Sequence, residues 1–288
     1  AGGTAQSKDF VLKVAPYTVL PTAGRLGALD KSNPGFVVNA TMVTSLQVDP
    51  FSTGVTSTHS NLTARAEQQL AGTLVIEELG VPLYNEAEQD SSKWVVTPLV
   101  ADKVINWFEL APGTDASLNF PNDEAIPRLS EVGVTLEGVV IEILTYLDLA
   151  KGYHKIGLYT EGGHKISAGL TAADPVLSTF SNDGEVPLVP TYFSRNQFVD
   201  LVAPDAGYYP LRVLWFQSKR NQEPGLMLEL FSVKDRTLHL LNDTTNPKSI
   251  RTYRAGALTG GGGGTPTLSL QRQGANLTVQ WTGMLQVA

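Results

Sequence analysis

The chain has 288 residues, no cysteine, a net charge of −7 and only 17% charged residues. The missing cysteines exclude disulfides, thiolate metal sites and cysteine nucleophiles, and the acidic balance argues against nucleic acid, which needs a basic surface. No apolar run reaches the roughly 20 residues of a membrane-spanning helix. Hydrophobic residues make up 42%, enough for a sizeable core, and 27 glycines and 17 prolines punctuate the chain. This punctuation is typical of an all-β sandwich or barrel.

Two N-terminal segments have a strand-like pattern. Residues 9–20 form one, interrupted by Pro16, which cannot donate to a strand ladder. Residues 36–43 form the other, and the two openings, Phe10–Ala15 and Phe36–Thr41, echo each other. Coincidence between Val-rich strands is one interpretation; pairing of the first strand with a sheet edge of another subunit is the alternative. On that hypothesis the N-terminal assembly residues are Phe10, Val11, Leu12 and Val14.

Residues 60–71 are predicted to form a helix. Ser60 or Asn61 can cap its start, an apolar stripe recurs at i, i+4 and i+8 from Leu62, and Gly72 ends it. The narrow stripe suits a short helix that lies on a sheet or seals a barrel end. Short strands are predicted after it at 94–96 and 104–108, and a long surface loop at 111–130.

The pattern sharpens from residue 139. Strands at 139–147, 153–159 and 164–168 are predicted to form a meander, joined by tight turns at Lys151-Gly152 and Glu161–Gly163. Further strands are predicted at 193–202, 208–216, 226–233 and 237–241.

The glycine-rich segment 256–266 is predicted to be a flexible linker. Beyond it, 267–272 and 277–281 form a predicted hairpin. One hairpin is only marginally stable alone, so we expect it to pack on the main domain, to pair with another chain or to open a further module. The C-terminal assembly residues are Leu268, Leu270, Leu277, Val279 and Trp281.

Several pieces of the chain resemble the PA14 family of β-sandwich modules. They are the strand Ile141–Leu147, the segment Ala150–Ser167, and the strands Ala206–Phe216 and Leu226–Val233. With Gly35–Leu79 supplying the first strands and the helix, the resemblance covers about residues 33–254. It implies a non-catalytic, mostly antiparallel fold of exported proteins whose members bind glycans or serve as adhesive and assembly modules. The C-terminal piece resembles the opening strands of immunoglobulin-like modules.

The predicted fold class is therefore all-β: a PA14-like antiparallel β-sandwich or barrel with one short helix, followed by a glycine linker and a hairpin. The predicted organisation is an N-terminal arm with one strand at 1–32, the sandwich at 33–255, the linker at 256–266, and a hairpin or partial immunoglobulin-like module at 267–288.

Two places are predicted to contact a ligand. The resemblance implies that calcium-dependent family members use adjacent aspartates in the loop that here reads Thr160–Gly163, where only Glu161 is acidic. A hard cation wants six to eight oxygens, so no cofactor is predicted, and calcium stays an alternative that the missing Asp-Asp pair argues against. Tyr208 and Tyr209 lie on opposite faces of one strand, so at most one is core and the other is available.

The remaining motifs point to no reaction. His154 and His164 fall on neighbouring predicted strands, but without metal-ligand spacing they are better explained as half-exposed strand residues. No Gly-x-Ser-x-Gly elbow occurs, and the adjacent pairs Glu77-Glu78 and Asp123-Glu124 are typical of solvated carboxylates. No catalytic and no metal residue is predicted, and a hydrolase with an unrecognised carboxylate pair is the third alternative.

We predict a non-catalytic, extracellular structural or adhesive protein that assembles with copies of itself, as an oligomer, polymer or filament, through its terminal strands. The alternative is a glycan-binding module of a larger secreted enzyme or adhesin, with surface glycans as partners. Neither nucleic acid nor a membrane span is predicted. The absence of cysteine favours an extracellular or cell-surface location, and the start at Ala1 suggests processing or excision from a longer chain.

Overall fold

The chain divides into two units, Ala1–Gly256 and Ala257–Ala288. For residues 179–183, 195, 267–273 and 276–282, the structure describes the backbone and not the side chains. The computed structural model describes residues 17–44, 62–74, 83–88, 93–109, 119–129, 137–160, 162–170, 179–183, 195–217, 227–254, 267–273 and 276–282.

The described residues form sixteen strands, one α-helix and a 3-10 turn at Glu86–Glu88. In chain order the helix and strands are β1 (Thr18–Val19), β2 (Phe36–Met42), α1 (Thr63–Leu70), β3 (Leu99–Ala101), β4 (Asn106–Phe108), β5 (Glu124–Ala125), β6 (Val139–Leu149), β7 (Gly152–Thr160), β8 (Gly163–Ala168), β9 (Thr179–Asp183), β10 (Arg195–Ala203), β11 (Gly207–Gln217), β12 (Met227–Lys234), β13 (Thr237–Leu240), β14 (Thr252–Tyr253), β15 (Thr267–Gln273) and β16 (Asn276–Thr282).

Fourteen of these strands form two sheets in the first unit. The first sheet has the order β1-β10-β7-β12-β4-β5, with β13 added beside β12. The second has the order β3-β2-β6-β11-β8-β9, with β14 added beside β6. Only β1–β10 and β4–β5 pair in parallel; all other pairs in the described residues are antiparallel. The predicted all-β fold with one short helix is confirmed.

The two sheets enclose one hydrophobic core. Alternate residues along each strand face inward, as the pleat of a strand requires. The largest inward-facing side chains are fully buried, with contributions from both sheets: Phe36, Ile141, Tyr209 and Trp215 from the second, and Trp107, Ile156, Leu158 and Leu230 from the first. The fold is therefore a sandwich.

The predicted meander over residues 139–168 is wrong. β6 and β8 lie in the second sheet and β7 lies in the first, so each turn carries the chain across the sandwich instead of folding it into a hairpin. β6 pairs with β2 and β11, while β7 pairs with β10 and β12. Tight glycine turns in the sequence serve both geometries, and only the choice of pairing partners distinguishes them.

The helix α1 covers the outer face of the second sheet, one of the two positions predicted for it. Ala66 is fully buried there against Val140, Leu214 and Phe216. The helix begins at Thr63 with Leu62 in the N-cap position, later than predicted, and the proposed caps Ser60 and Asn61 lie outside the described residues. The predicted end is observed, with Gly72 at φ +66°.

Two further expectations differ from the structure. Residues 94–96 have no regular secondary structure and are not a strand. Within the predicted surface loop 111–130, the described residues contain β5, and Ile126 and Leu129 are part of the buried core. In the described part of the chain, no helix has the length and hydropathy needed to cross a membrane.

The helix is held to its sheet by a buried arginine. Arg212 on β11 is 1% exposed, and its Nη1 and Nη2 donate to Glu67 Oε1 and Oε2 of α1, both at 2.7 Å. Its Nε donates to Glu142 Oε1 at 2.6 Å, and Asn39 donates to the other oxygen of Glu142 at 2.7 Å. Burial works against the charged form, yet hydrogen bonds and charges from Glu67 and Glu142 raise the pKa of Arg212.

We expect Arg212→Met to lower the free energy of unfolding by about 3 kcal/mol, because it leaves two partly buried carboxylates without their cation. Urea unfolding followed by tryptophan fluorescence measures the change. The control is Lys165→Met, which removes a cation 3.9 Å from Glu67 and should cost about 1 kcal/mol or less. Equal losses for the two variants would contradict the role given to Arg212.

The second unit contains the predicted C-terminal hairpin. β15 and β16 pair antiparallel, with Leu268 opposite Trp281 and Leu270 opposite Val279. Leu277 lies opposite Arg272 in the same register. Among the described residues, these two strands pair only with each other.

Candidate functional site

The two tyrosines predicted to contact a ligand are both buried. Tyr209 is 1% exposed in the core, and its hydroxyl donates to the Asp205 carbonyl at 2.7 Å. Tyr208, on the outer face, is 8% exposed, because its ring meets the edge of Tyr253 at 5.9 Å and Lys31 Nζ lies 5.5 Å from its centroid. The expectation that one ring is available at the surface is therefore wrong. A ligand-binding role for this pair stays a prediction.

The other predicted site residues are not brought together. Glu161 and the N-terminal assembly residues Phe10, Val11, Leu12 and Val14 lie outside the described residues. His154 and His164 lie in opposite sheets, because the strands that carry them do not form a meander. The ring Nε2 of His154 donates to the Ala150 carbonyl at 2.7 Å. Within the described ranges, no group of three acidic or histidine side chains is placed to hold a metal ion.

An exposed cluster lies instead on the outer face of the first sheet, where β7 pairs with β10. It consists of Tyr153, Lys155, Phe198 and Asp200, and we call it the aromatic patch. Tyr153 is 59% exposed and Phe198 46% exposed, two of the five large hydrophobic side chains most exposed in the described residues. Lys155 pairs in register with Asp200, between the two rings.

Polar contacts order the centre of this patch. Lys155 Nζ lies 3.2 Å from Asp200 Oδ1 and 5.3 Å from the centroid of the Phe198 ring. The Tyr153 hydroxyl donates to Asp200 Oδ1. The pKa of Tyr153 is raised to about 12 by this hydrogen bond to Asp200, with burial and the charge of Asp200 adding to it. Asp200 therefore carries two partners that hold both aromatic neighbours in place.

Phe198 is supported from one side by the sheet. Its ring meets Phe231 of β12 edge-on at 5.9 Å across Gly157. A Cβ on Gly157 would lie 2.6 Å from Phe231 Cε2 and 2.6 Å from the Gln197 carbonyl oxygen, so only glycine lets the three strands approach in this way. The patch is thus supported by the packing of the sheet and by the contacts among its own side chains.

A cleft of about 400 Å³ opens beside the patch. Tyr153 and Lys155 belong to both, while Lys234 at the end of β12 and the segment from Pro247 to Arg251 form the other walls. Ligand pockets commonly have volumes of roughly 300–1,000 Å³. A ligand lying on the patch would therefore extend directly into the cleft; we call it the basic cleft for the charges described below.

Sequence reasoning missed this site although a signal was present. β7 and β10 were predicted as strands, but only the pairing of β7 with β10 places Tyr153, Lys155, Phe198 and Asp200 on one face. The period-2 spacing of Tyr153 with Lys155, and of Phe198 with Asp200, was visible in the sequence. Which face of each strand stayed open was not.

A second polar cluster lies under residues 119–123, which cover the outer face of the same sheet. Glu229 of β12 is fully buried, and its Oε2 accepts from Asn119 at 2.7 Å. Burial, with a smaller contribution from the charge of Asp123, raises the pKa of Glu229 to about 7 against the hydrogen bonds from Asn119 and Phe120. Asp123 is only 5% exposed. Because both carboxylates are covered, this pair is closed to a glycan substrate in this structure.

Stability should fall as the pH rises from about 5 to 8. Folded Glu229 keeps a proton that the unfolded chain has lost above its usual pKa of 4.5, so the folded state binds more protons in this window. The full difference is worth about 3 kcal/mol. In Glu229→Gln, which keeps an acceptor for Asn119, the slope of unfolding free energy against pH should flatten, as urea unfolding at pH 5, 6.5 and 8 would measure.

The matched control for this experiment is Glu124→Gln. Glu124 is an exposed carboxylate on β5, directly after the covering segment 119–123, so its removal should leave the slope as in the wild type. If Glu229→Gln and the wild type lose stability in parallel between pH 5 and 8, the raised pKa is not the cause.

Comparison with known proteins shows that several solved structures have a similar fold. No protein-family model matches the chain, and no curated protein does. Similar solved structures include the epithelial adhesin 9 A domain from Candida glabrata in complex with Galβ1-3GlcNAc, at 9% identity and TM-score 0.42, covering 83% of this chain and 97% of that one.

Two PA14 domains are also similar. The PA14 domain of the MpAFP antifreeze protein has 12% identity and TM-score 0.36, covering 78% of this chain and 96% of that one. The PA14 sugar-binding domain of an RTX adhesin has 8% identity and TM-score 0.37, covering 78% and 99%. The predicted resemblance to PA14 domains is confirmed to this extent, and the immunoglobulin-like part stays a prediction.

Proposed function

We propose that this chain is a non-catalytic, extracellular adhesive module that binds glycans on the aromatic patch. The observation that carries the proposal is the pair of exposed rings, Tyr153 and Phe198, on two neighbouring strands with the Lys155–Asp200 pair between them. The similar adhesin domain is complexed with Galβ1-3GlcNAc. The proposal for this chain rests on its own surface.

The chemistry of the patch suits a sugar chain. A pyranose ring has an apolar C–H face that packs on an aromatic ring, and hydroxyls at its edge that bond charged and polar groups. Phe198 and Tyr153 supply the rings, while Asp200 accepts and Lys155 donates hydrogen bonds.

The spacing favours an oligosaccharide over a single sugar. Phe198 pairs with Gly157, and Tyr153 lies four residues earlier on the same strand as Gly157. Four residues of strand span roughly 13 Å, so the backbone positions that carry the two rings lie farther apart than one pyranose spans. A ligand that uses the whole patch must extend along the strands.

We expect Tyr153→Ala and Phe198→Ala each to weaken glycan binding about tenfold, the effect of losing roughly 1.4 kcal/mol of ring contact. A printed array of defined neutral and acidic glycans, with and without calcium, identifies the ligand, and titration calorimetry measures the dissociation constants. Tyr153→Phe should retain most of the affinity, because it keeps the ring and loses only the hydroxyl that Asp200 already holds.

Val100→Ala is the matched control. Val100 is 46% exposed, as Phe198 is, but it lies on β3 of the second sheet. Its replacement should leave binding unchanged. An array without signal in either condition would count against glycan binding, and equal affinities in the wild type, Tyr153→Ala and Phe198→Ala would place any glycan site elsewhere.

Self-assembly through the terminal strands is the second candidate function. It is favoured by the hairpin of β15 and β16, which is a two-stranded sheet of its own in the described residues. Such hairpins are marginal in water alone, and a strand of another chain that pairs with an open edge would stabilise them. The N-terminal residues assigned to assembly stay a prediction.

Deletion of residues 257–288 should then abolish any assembled species while leaving the two-sheet unit folded. Sedimentation velocity of the full chain and the truncated chain measures the assembly state, and circular dichroism checks the fold. The control is a chain with Leu268, Leu270, Val279 and Trp281 intact but the linker 260–264 changed to Ser. If full and truncated chains sediment as the same species, strand-mediated assembly by the hairpin is excluded.

A further inference from the structure

The basic cleft is an exception on an acidic protein. The chain carries a net charge of −7, yet the charged side chains that line the cleft are Lys155, Lys234, Lys248, Arg251 and a single carboxylate, Asp148. A local excess of cations focuses attraction on anionic groups within a cleft.

Most carboxylates near the cleft are already engaged. Asp148 lies 3.4 Å from Lys31 Nζ at the rim. Asp200 holds Lys155 and the Tyr153 hydroxyl. The carboxylate of Asp243 accepts from the backbone and the hydroxyl of Thr245, at 2.9 and 2.7 Å.

Two of the cations make no salt bridge with a carboxylate among the described residues. Arg251 is held by carbonyl oxygens, with Nη1 donating to Asp243 at 2.5 Å and Nη2 to Thr244 at 3.3 Å, so its position is set while its charge stays uncompensated. Lys234 is exposed and makes no salt bridge in that part of the chain, although the charge of the neighbouring Asp235 interacts with it. Lys248 contacts Asp235 at 2.9 Å, but both side chains are about half exposed or more, and such pairs contribute little.

We propose that the cleft binds a carboxylate or sulfate group of an acidic polysaccharide whose sugar rings lie on the aromatic patch. This inference rests on the proposed glycan function and names the class of glycan. The contiguity of the two surfaces supports it, because Tyr153 and Lys155 belong to both. A sugar chain that lies along β7 from Phe198 to Tyr153 brings its next unit to Lys234 and Arg251.

The uncompensated arginine suits this class of ligand. A guanidinium presents a fixed fork of N–H donors that matches a carboxylate or sulfate, and the two carbonyl bonds orient Arg251 before the ligand arrives. Uronate carboxylates and sulfate esters both present oxygens that accept from this fork. The arginine therefore points to an oxyanion, and the experiment distinguishes carboxylate from sulfate.

The test compares three soluble polysaccharides with the full chain: dextran as the neutral chain, dextran sulfate as the sulfate source and polygalacturonate as the carboxylate source. At about 100 mM salt, we expect at least one acidic polymer to bind about tenfold more tightly than dextran, with affinity falling as salt rises. Lys234→Glu should remove that preference, and Arg251→Gln should weaken it in the same direction.

Lys103→Glu is the control for charge. It changes the net charge by the same amount as Lys234→Glu, and Lys103 is an exposed residue beyond β3, outside the cleft lining. It should change the affinity for the acidic polymers less than twofold. Thermal unfolding of each variant confirms the fold, and Lys234→Glu keeps the test valid if Arg251→Gln, which loses two backbone contacts, does not fold.

The outcomes separate this inference from the proposed function. If Tyr153→Ala loses dextran and acidic polymers alike while Lys234→Glu loses only the acidic preference, both stand. If neutral glycans bind with no acidic preference, or if Lys234→Glu and Lys103→Glu weaken binding equally, the cleft proposal is overturned and the patch proposal stands. If Tyr153→Ala has no effect but Lys234→Glu does, the patch proposal fails, and the cleft proposal is overturned because the sugar rings do not lie on the patch. If anionic lipid vesicles bind and polysaccharides do not, both proposals fail.

Discussion

Most of β11 in the second sheet and of β12 in the first is buried on both faces, and this double burial determines where polar groups can lie. On the second sheet, α1 covers the outer face. Arg212 can be buried beneath the helix because Glu67 and Glu142 bind its guanidinium. On the first sheet, residues 119–123 cover Glu229, whose pKa rises because water is excluded. A charge on a covered face must find a partner or keep its proton.

The same constraint leaves one outer surface open. Beyond the reach of the covering segments, the outer face at β7 and β10 carries rings and charges that contact solvent. Its side chains are ordered by the Lys155–Asp200 pair and by the packing of Phe198 on Phe231, so the surface is formed before any ligand binds. A preformed surface loses less conformational entropy on binding than a mobile one.

The predicted strands agree with the observed ones wherever apolar residues are dense. β6, β7, β10, β11 and β12 were anticipated within a few residues, because strand periodicity and glycine turns are local signals. The short strands β3, β5, β9 and β14 were not, since two to five residues carry no periodicity of their own and pair only because a neighbouring strand offers them an edge. The two-residue β1 lies within the strand-like segment 9–20. The predicted meander was wrong for a related reason. A glycine turn reverses the direction of the chain, but it does not decide which sheet the next strand joins.

Sequence by itself determined the all-β class, the helix α1, the absence of thiol chemistry and the C-terminal hairpin, all of which follow from composition and local pattern. Only the tertiary structure decided where the candidate site lies. Tyr208 and Tyr153 are both strand tyrosines in the sequence, yet the first is buried against Tyr253 and the second is 59% exposed. Exposure depends on which distant segment covers a face, and that covering is settled by packing across the whole sandwich and not by neighbours along the chain.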